Sequence, residues 1–165
     1  MAKDSSFDIV SQVDMQEVDN AYQQTARELT QRYDLKSSGA TVDLSKADGT
    51  VTVTAPADFV ARQVIDVLNG RLHKRGVDLK AVQWDAPQAA SGGNVRVVGH
   101  IVSGIDRELA KRISKGVRDM KLKCKVAVED DKLRVTSPSK DVLQQVIAQV
   151  RAADYDVPLQ FTNYR

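Results

Sequence analysis

The feature that most constrains this chain is that it repeats itself. At a constant offset of 82, Val53, Thr54, Pro56, Val60, Gln63, Val64 and Ile65 recur without a gap as Val135, Thr136, Pro138, Val142, Gln145, Val146 and Ile147. The apolar stripe Val18, Tyr22, Ala26, Leu29, Tyr33 likewise shares its spacing with Ile105, Leu109, Ile113, Gly116, Met120. An internal duplication of this kind divides 165 residues into two copies of about 75 residues, each near the lower size limit for folding alone.

Periodicity assigns the same elements to both copies. In the first, a strand at 7–13, a helix at 15–33, strands at 40–44 and 50–55, a helix at 58–74 and a strand at 78–85 are expected. In the second, a strand at 94–102, a helix at 105–121, a hairpin of 123–129 with 132–136, a helix at 140–152 and a strand at 159–164 follow. Asp14 with Glu17, and Ser103 with Asp106, have capping-box spacing, and Asp48-Gly49 and Asp130-Asp131 suit two-residue hairpin turns. Each copy reads βαββαβ, the split βαβ plan of ferredoxin-like and RNA-recognition folds. The fold class is therefore α+β, with two tandem ferredoxin-like domains at 1–85 and 94–165. The small, flexible stretch 86–93 is the expected linker. Periodicity leaves open whether end strands cross between the domains.

Val42, Leu44, Val51, Val53, Cys124, Val126, Val128, Leu133 and Val135 are expected to face the helices, which leaves the other sheet face polar. On the second copy that face would carry Arg96, His100, Lys123, Lys125 and Arg134, against Thr41, Asp43, Thr50, Thr52 and Thr54 on the first. The expected helix at 105–121 adds a ridge of Arg107, Lys111, Lys115 and Arg118 opposite its apolar stripe. Residues 1–90 carry 10 Lys/Arg against 13 Asp/Glu, and residues 91–165 carry 14 against 9. An anionic partner should meet the second copy first.

Arg and Lys on an open sheet suit phosphates, Arg by bidentate contact and Lys as a point charge. The expected nucleotide-binding residues are thus Arg96, His100, Lys123, Lys125 and Arg134. Removing charge at Arg96, Lys125 and Arg134 should weaken binding more than removing it at Arg107, Lys111 and Lys115. The helical ridge is the alternative, a phosphate track for RNA or DNA, or a docking face for an acidic protein. Aromatics make up 5% of the chain, with none at these sheet positions, which argues against generic single-strand RNA reading by base stacking. A solvated face that keeps a small domain soluble is the competing explanation of both surfaces.

Signatures of catalysis are missing. No phosphate loop, nucleophile elbow or HExxH pair occurs, and Ser91-Gly92-Gly93 leads into a strand where a phosphate loop needs a helix. Neither an enzyme nor a cofactor is expected. Cys124 with His73 and His100 makes no zinc-ligand spacing, so no metal site is expected either. No apolar run approaches the roughly 20 residues of a membrane-spanning helix, and Met1-Ala2-Lys3-Asp4-Ser5-Ser6 lacks a signal-type apolar core. A cytoplasmic protein without membrane contact is expected.

Several blocks, in order, resemble the YajQ family of bacterial nucleotide-binding proteins. They are Ser6-Phe7-Asp8-Ile9-Val10-Ser11 with Val13-Asp14 and Gln16-Glu17-Val18, then Leu72-His73-Lys74-Arg75-Gly76, Lys121-Leu122-Lys123, Leu133-Arg134-Val135-Thr136, and the run from Pro158 to Arg165. The resemblance implies a non-enzymatic cytosolic protein of two ferredoxin-like domains. Members are described as cyclic di-GMP effectors, and others as binding nucleoside triphosphates such as GTP or ATP, or tRNA. The expected reading is a binding module for a nucleotide, a cyclic dinucleotide first, which when bound acts on a regulatory protein partner.

Overall fold

A computed structural model describes residues Lys3–Arg165; Met1 and Ala2, the first residues of the stretch read as lacking a signal core, lie outside the described residues. In chain order the elements are β1 (Ser5–Val10), α1 (Met15–Gln31), β2 (Thr41–Ser45), β3 (Thr50–Ala55), α2 (Asp58–Lys74), β4 (Val82–Trp84) and β5 (Gln88–Ala89). They continue with β6 (Val95–Ile101), α3 (Arg107–Asp119), β7 (Lys125–Glu129), β8 (Lys132–Ser137), α4 (Lys140–Ala153) and β9 (Gln160–Thr162). Among the described residues no helix is long and apolar enough to cross a membrane.

The chain forms two compact units. One, the inserted unit, is Val13–Val102. The other, the split unit, joins the N-terminal segment ending at Gln12 to Ser103–Arg165. The sheet of the split unit runs β7-β8-β1-β9, and that of the inserted unit runs β2-β3-β6-β4 with the short β5 also on β6. All pairs are antiparallel. Both are the strand order of a ferredoxin-like sheet, so the fold is two such units. The place of the first strand is taken in each by the strand that sequence order would give to the other: β1 pairs with β8 and β9, and β6 pairs with β3 and β4. Residues 86–93, read as a linker, carry β5 and a short helical turn at Ser91–Gly93, and Gln88 lies opposite Arg96 inside the inserted unit. A flexible composition permits a tight return as readily as a spacer.

Each sheet buries one face beneath its two helices. Phe7, Ile9, Leu133 and Val135 are fully buried with Ile113 and Val146 in the split unit, and Val53, Val64 and Leu68 in the inserted unit. Val128 and Tyr33 depart from expectation and are exposed. Val128 lies on the edge strand β7, one residue before its end, and Tyr33 lies past the end of α1, where helical spacing no longer orients it.

The local signals resolve unevenly. Asp14 caps α1 by accepting from the backbone N–H of Gln16 and Glu17, whereas the Glu17 carboxylate accepts from Asn20 and pairs with Arg75. Asp106, not Ser103, caps α3, accepting from Leu109 N–H at 2.8 Å. Asp130-Asp131 is a two-residue turn, since Glu129 pairs with Lys132. Ser45 pairs with Thr50, so Asp48-Gly49 belongs to a four-residue loop, with Gly49 at φ 66°.

Gly99 shows how closely β6 fits the inserted unit. A Cβ there would lie 2.8 Å from both the Trp84 ring and Val82 Cγ1, closer than atoms pack in a protein interior. Gly99→Ala should therefore destabilise by about 1–2 kcal/mol, read as a lower urea midpoint at unchanged slope. An unchanged midpoint would show that Trp84 can move aside freely.

Candidate nucleotide-binding surface

The strand exchange divides the expected cationic sheet face. Arg96 and His100 lie on β6 in the inserted unit, opposite Thr54 and Thr50. Lys123, Lys125 and Arg134 lie in the split unit. His100 Nε2 is 2.8 Å from Asp85 Oδ2, and Arg96 is exposed on the same face. Counted by unit, the split unit holds 14 Lys/Arg against 11 Asp/Glu and the inserted unit 10 against 11. The excess of cations thus belongs to the split unit.

On that unit's open face, antiparallel register places Lys125 opposite Thr136 and Thr136 opposite Ser6; one step along, Ala127 faces Arg134 and Arg134 faces Asp8. Residues opposite one another share a face of the sheet. Asp8 is 2% exposed and consumes the guanidinium: Arg134 Nε donates to Asp8 Oδ1 at 3.0 Å, with Nη1 3.5 Å from Glu129 Oε1. Lys132 Nζ lies 3.5 Å from Asp8 Oδ2, and the Asn163 amide donates to the same oxygen at 2.9 Å. Burial pushes the Asp8 carboxyl up, but the hydrogen bonds from Arg134 and Asn163 and the charges of Arg134 and Lys132 outweigh it and hold the group below the usual aspartate value. The partnership with Asp8 raises Arg134 in turn. Arg134 is therefore a structural cation in this state.

Lys123 and Lys125 are different. Both are exposed, and among the described residues neither has a carboxylate partner. They line a cavity of about 430 Å³ together with Leu122, Cys124, Thr136, Pro138 and one acid, Asp4, which makes no ion pair with either lysine among the described residues. Burial pushes the Cys124 thiol up, which keeps it protonated beside two ammonium groups and leaves the hydroxyl of Thr136 as a neutral donor. At the offset of the duplication the corresponding cavity of the inserted unit, about 310 Å³, is lined by Ala40, Thr41, Val42 and Asp43. Thr41 and Asp43 stand where the split unit has Lys123 and Lys125, so the strand positions are cationic in one unit only, and the inserted unit's cavity takes its cation, Lys36, from the segment after α1.

The alternative ridge is assembled as its spacing predicts. Arg107, Lys111, Lys115 and Arg118 are exposed along α3, and none has an ion-pair partner among the described residues. No group of three or more metal-ligating side chains occurs among the described residues.

One part of the surface escaped sequence reasoning. From Asp8–Thr162 to Val10–Gln160 the β1–β9 register would carry Ser6 to Tyr164. Asn163 takes φ 56° and absorbs one residue, as a β-bulge does. Ser6 consequently exchanges backbone hydrogen bonds with Arg165, at 3.1 and 3.0 Å. The bulge turns Asn163 to Asp8, sets the Tyr164 ring 6.2 Å from Phe7 and leaves Arg165 level with Ser6, Thr136 and Lys125. Asn at position 163 was the only available signal, since Asn tolerates the left-handed region better than most residues.

A family model described as "Nucleotide-binding protein YajQ-like" matches residues 5–165. The chain belongs to this family. Similar proteins named "Nucleotide-binding protein" include one from Desulfitobacterium hafniense (strain DSM 10664 / DCB-2) at 45% identity and one from Alkaliphilus oremlandii (strain OhILAs) at 41%. Another, from Bacillus cereus (strain AH187), is 45% identical. Each match covers 100% of both chains. The matches thus extend over the full length of both units.

Proposed function

We propose that this YajQ-like chain binds a nucleotide on the split unit and acts as a cytoplasmic regulatory protein without chemistry of its own, its ligand a cyclic dinucleotide such as cyclic di-GMP. The name "Nucleotide-binding protein" carried by its relatives supports nucleotide as the ligand class. The observation that carries the reading is the pair Lys123 and Lys125, two cations without an ion-pair partner among the described residues, which outnumber the single acid Asp4 at one cavity beside the Thr136 hydroxyl. They serve as point charges for phosphate. Arg134 contributes by holding Asp8, and Arg96 and His100, on the other unit's sheet, contribute little.

Calorimetric titration against cyclic di-GMP, cyclic di-AMP, GTP, ATP and tRNA tests this. Lys123→Gln with Lys125→Gln should weaken the preferred nucleotide at least tenfold and Arg96→Gln less than twofold, with a salt slope of about two or fewer. An Arg96→Gln loss equal to that of the lysine pair would move the site to the inserted unit. The free cations of α3 favour a second reading, a nucleic-acid track; it requires a slope near one per neutralised phosphate and loss of tRNA binding in Lys111→Gln/Lys115→Gln.

A further inference from the structure

Beyond the Asn163 bulge the chain forms one wall of a second cavity, of about 330 Å³, against the first turns of α4. Its lining combines Tyr164, Leu143 and Gln144 with Lys140, Arg165 and Ser6. Tyr164 touches Phe7 on one side and is still 61% exposed. A large ring held against a buried one and otherwise left in water is a preformed platform, because its position costs no further ordering when a flat partner arrives. The Gln144 side chain is exposed at the rim and offers both a donor and an acceptor. Lys140 and Arg165 make no ion pair among the described residues.

We propose that this cavity is a nucleobase subsite, with the base stacked on Tyr164, its edge met by Gln144, and the attached phosphate held by Arg165 and Lys140. At about 330 Å³ it lies at the small end of ligand pockets and suits one nucleoside. Resting on the reading that phosphate is held at Lys123 and Lys125, it extends that site. The row Lys125, Thr136, Ser6, Arg165 crosses four strands at one level, so its ends are about 14 Å apart at about 4.8 Å per strand. Two cations stand at the ends with two hydroxyls between them; the phosphates of a dinucleotide, one nucleoside apart, are closer together than these ends, and the long Lys125 and Arg165 side chains reach them by leaning inward. The subsite therefore selects a dinucleotide over a mononucleotide.

The full chain is titrated with linear diguanylate, cyclic di-GMP, GMP and inorganic pyrophosphate. Tyr164→Leu and Gln144→Ala should each weaken both dinucleotides, Tyr164→Leu by about tenfold as expected for one lost stacked base. Tyr164→Phe, which keeps the ring, should stay within about threefold. Pyrophosphate, which has no base, should respond to Lys125→Gln and ignore Tyr164→Leu. If Lys125→Gln weakens the dinucleotides and Tyr164→Leu, folded by its melting curve, does not, the subsite is overturned and the phosphate reading stands. If Tyr164→Leu weakens them and Lys125→Gln does not, the phosphate reading falls and the subsite stands. GMP binding as tightly as either dinucleotide overturns the selection, and a wild-type chain that binds none of the four ligands overturns both.

Discussion

Residues 94–165 expressed alone should show no cooperative thermal transition, whereas residues 13–102 should melt as one unit. The first fragment lacks β1, an interior strand whose Phe7 and Ile9 are both 0% exposed, and it retains β6, which pairs elsewhere. Its β8 and β9 would meet water along edges that β1 normally occupies, and the helix-facing core would lose two of its largest side chains. For a domain of this size such a loss exceeds the whole margin of stability. Residues 1–12 joined through a short Gly/Ser linker to 103–165 should restore the transition. Circular dichroism of the three fragments checks this; a cooperative melt of 94–165 alone would refute the pairing of β1 with β8 and β9.

Asp8→Ala should destabilise the split unit by about 2 kcal/mol and flatten its acid limb. Breaking a buried ion pair from one side costs about 3–5 kcal/mol, reduced here because Arg134 and Lys132 keep about a third of their side-chain surface in water. The folded-state carboxyl titrates below the ordinary 3.8, so the unfolded chain binds its proton first as pH falls. The contribution of Asp8 is therefore complete above about pH 4 and disappears as pH drops through the lower folded value. Urea denaturation between pH 7 and pH 2.5 should show wild type losing stability below pH 4 more steeply than Asp8→Ala. Parallel curves would show that the Arg134 contact has no energetic weight.

The candidate site was legible in part. Lys123 and Lys125 follow from alternation at and just before the start of β7, and both are exposed as expected, although the alternation fails further along at Val128. Arg134 has the same alternation but a different fate, because its opposite residue on β1 is an acid 126 positions away. Tyr164 and Arg165 depend on a one-residue bulge, and a slip of one residue reverses every side chain after it.

Repetition and periodicity by themselves determined two ferredoxin-like units, their helices, and which strand faces are apolar, since these depend on neighbours a few residues apart. Which unit owns β1 and β6 only the tertiary structure decided. Both strands carry similar alternating apolar residues, so either sheet offers each of them a matching buried face, and the choice rests on contacts such as Trp84 over Gly99 and Arg134 on Asp8. That choice in turn gathers free cations on one unit and sends Arg96 and His100 to the other.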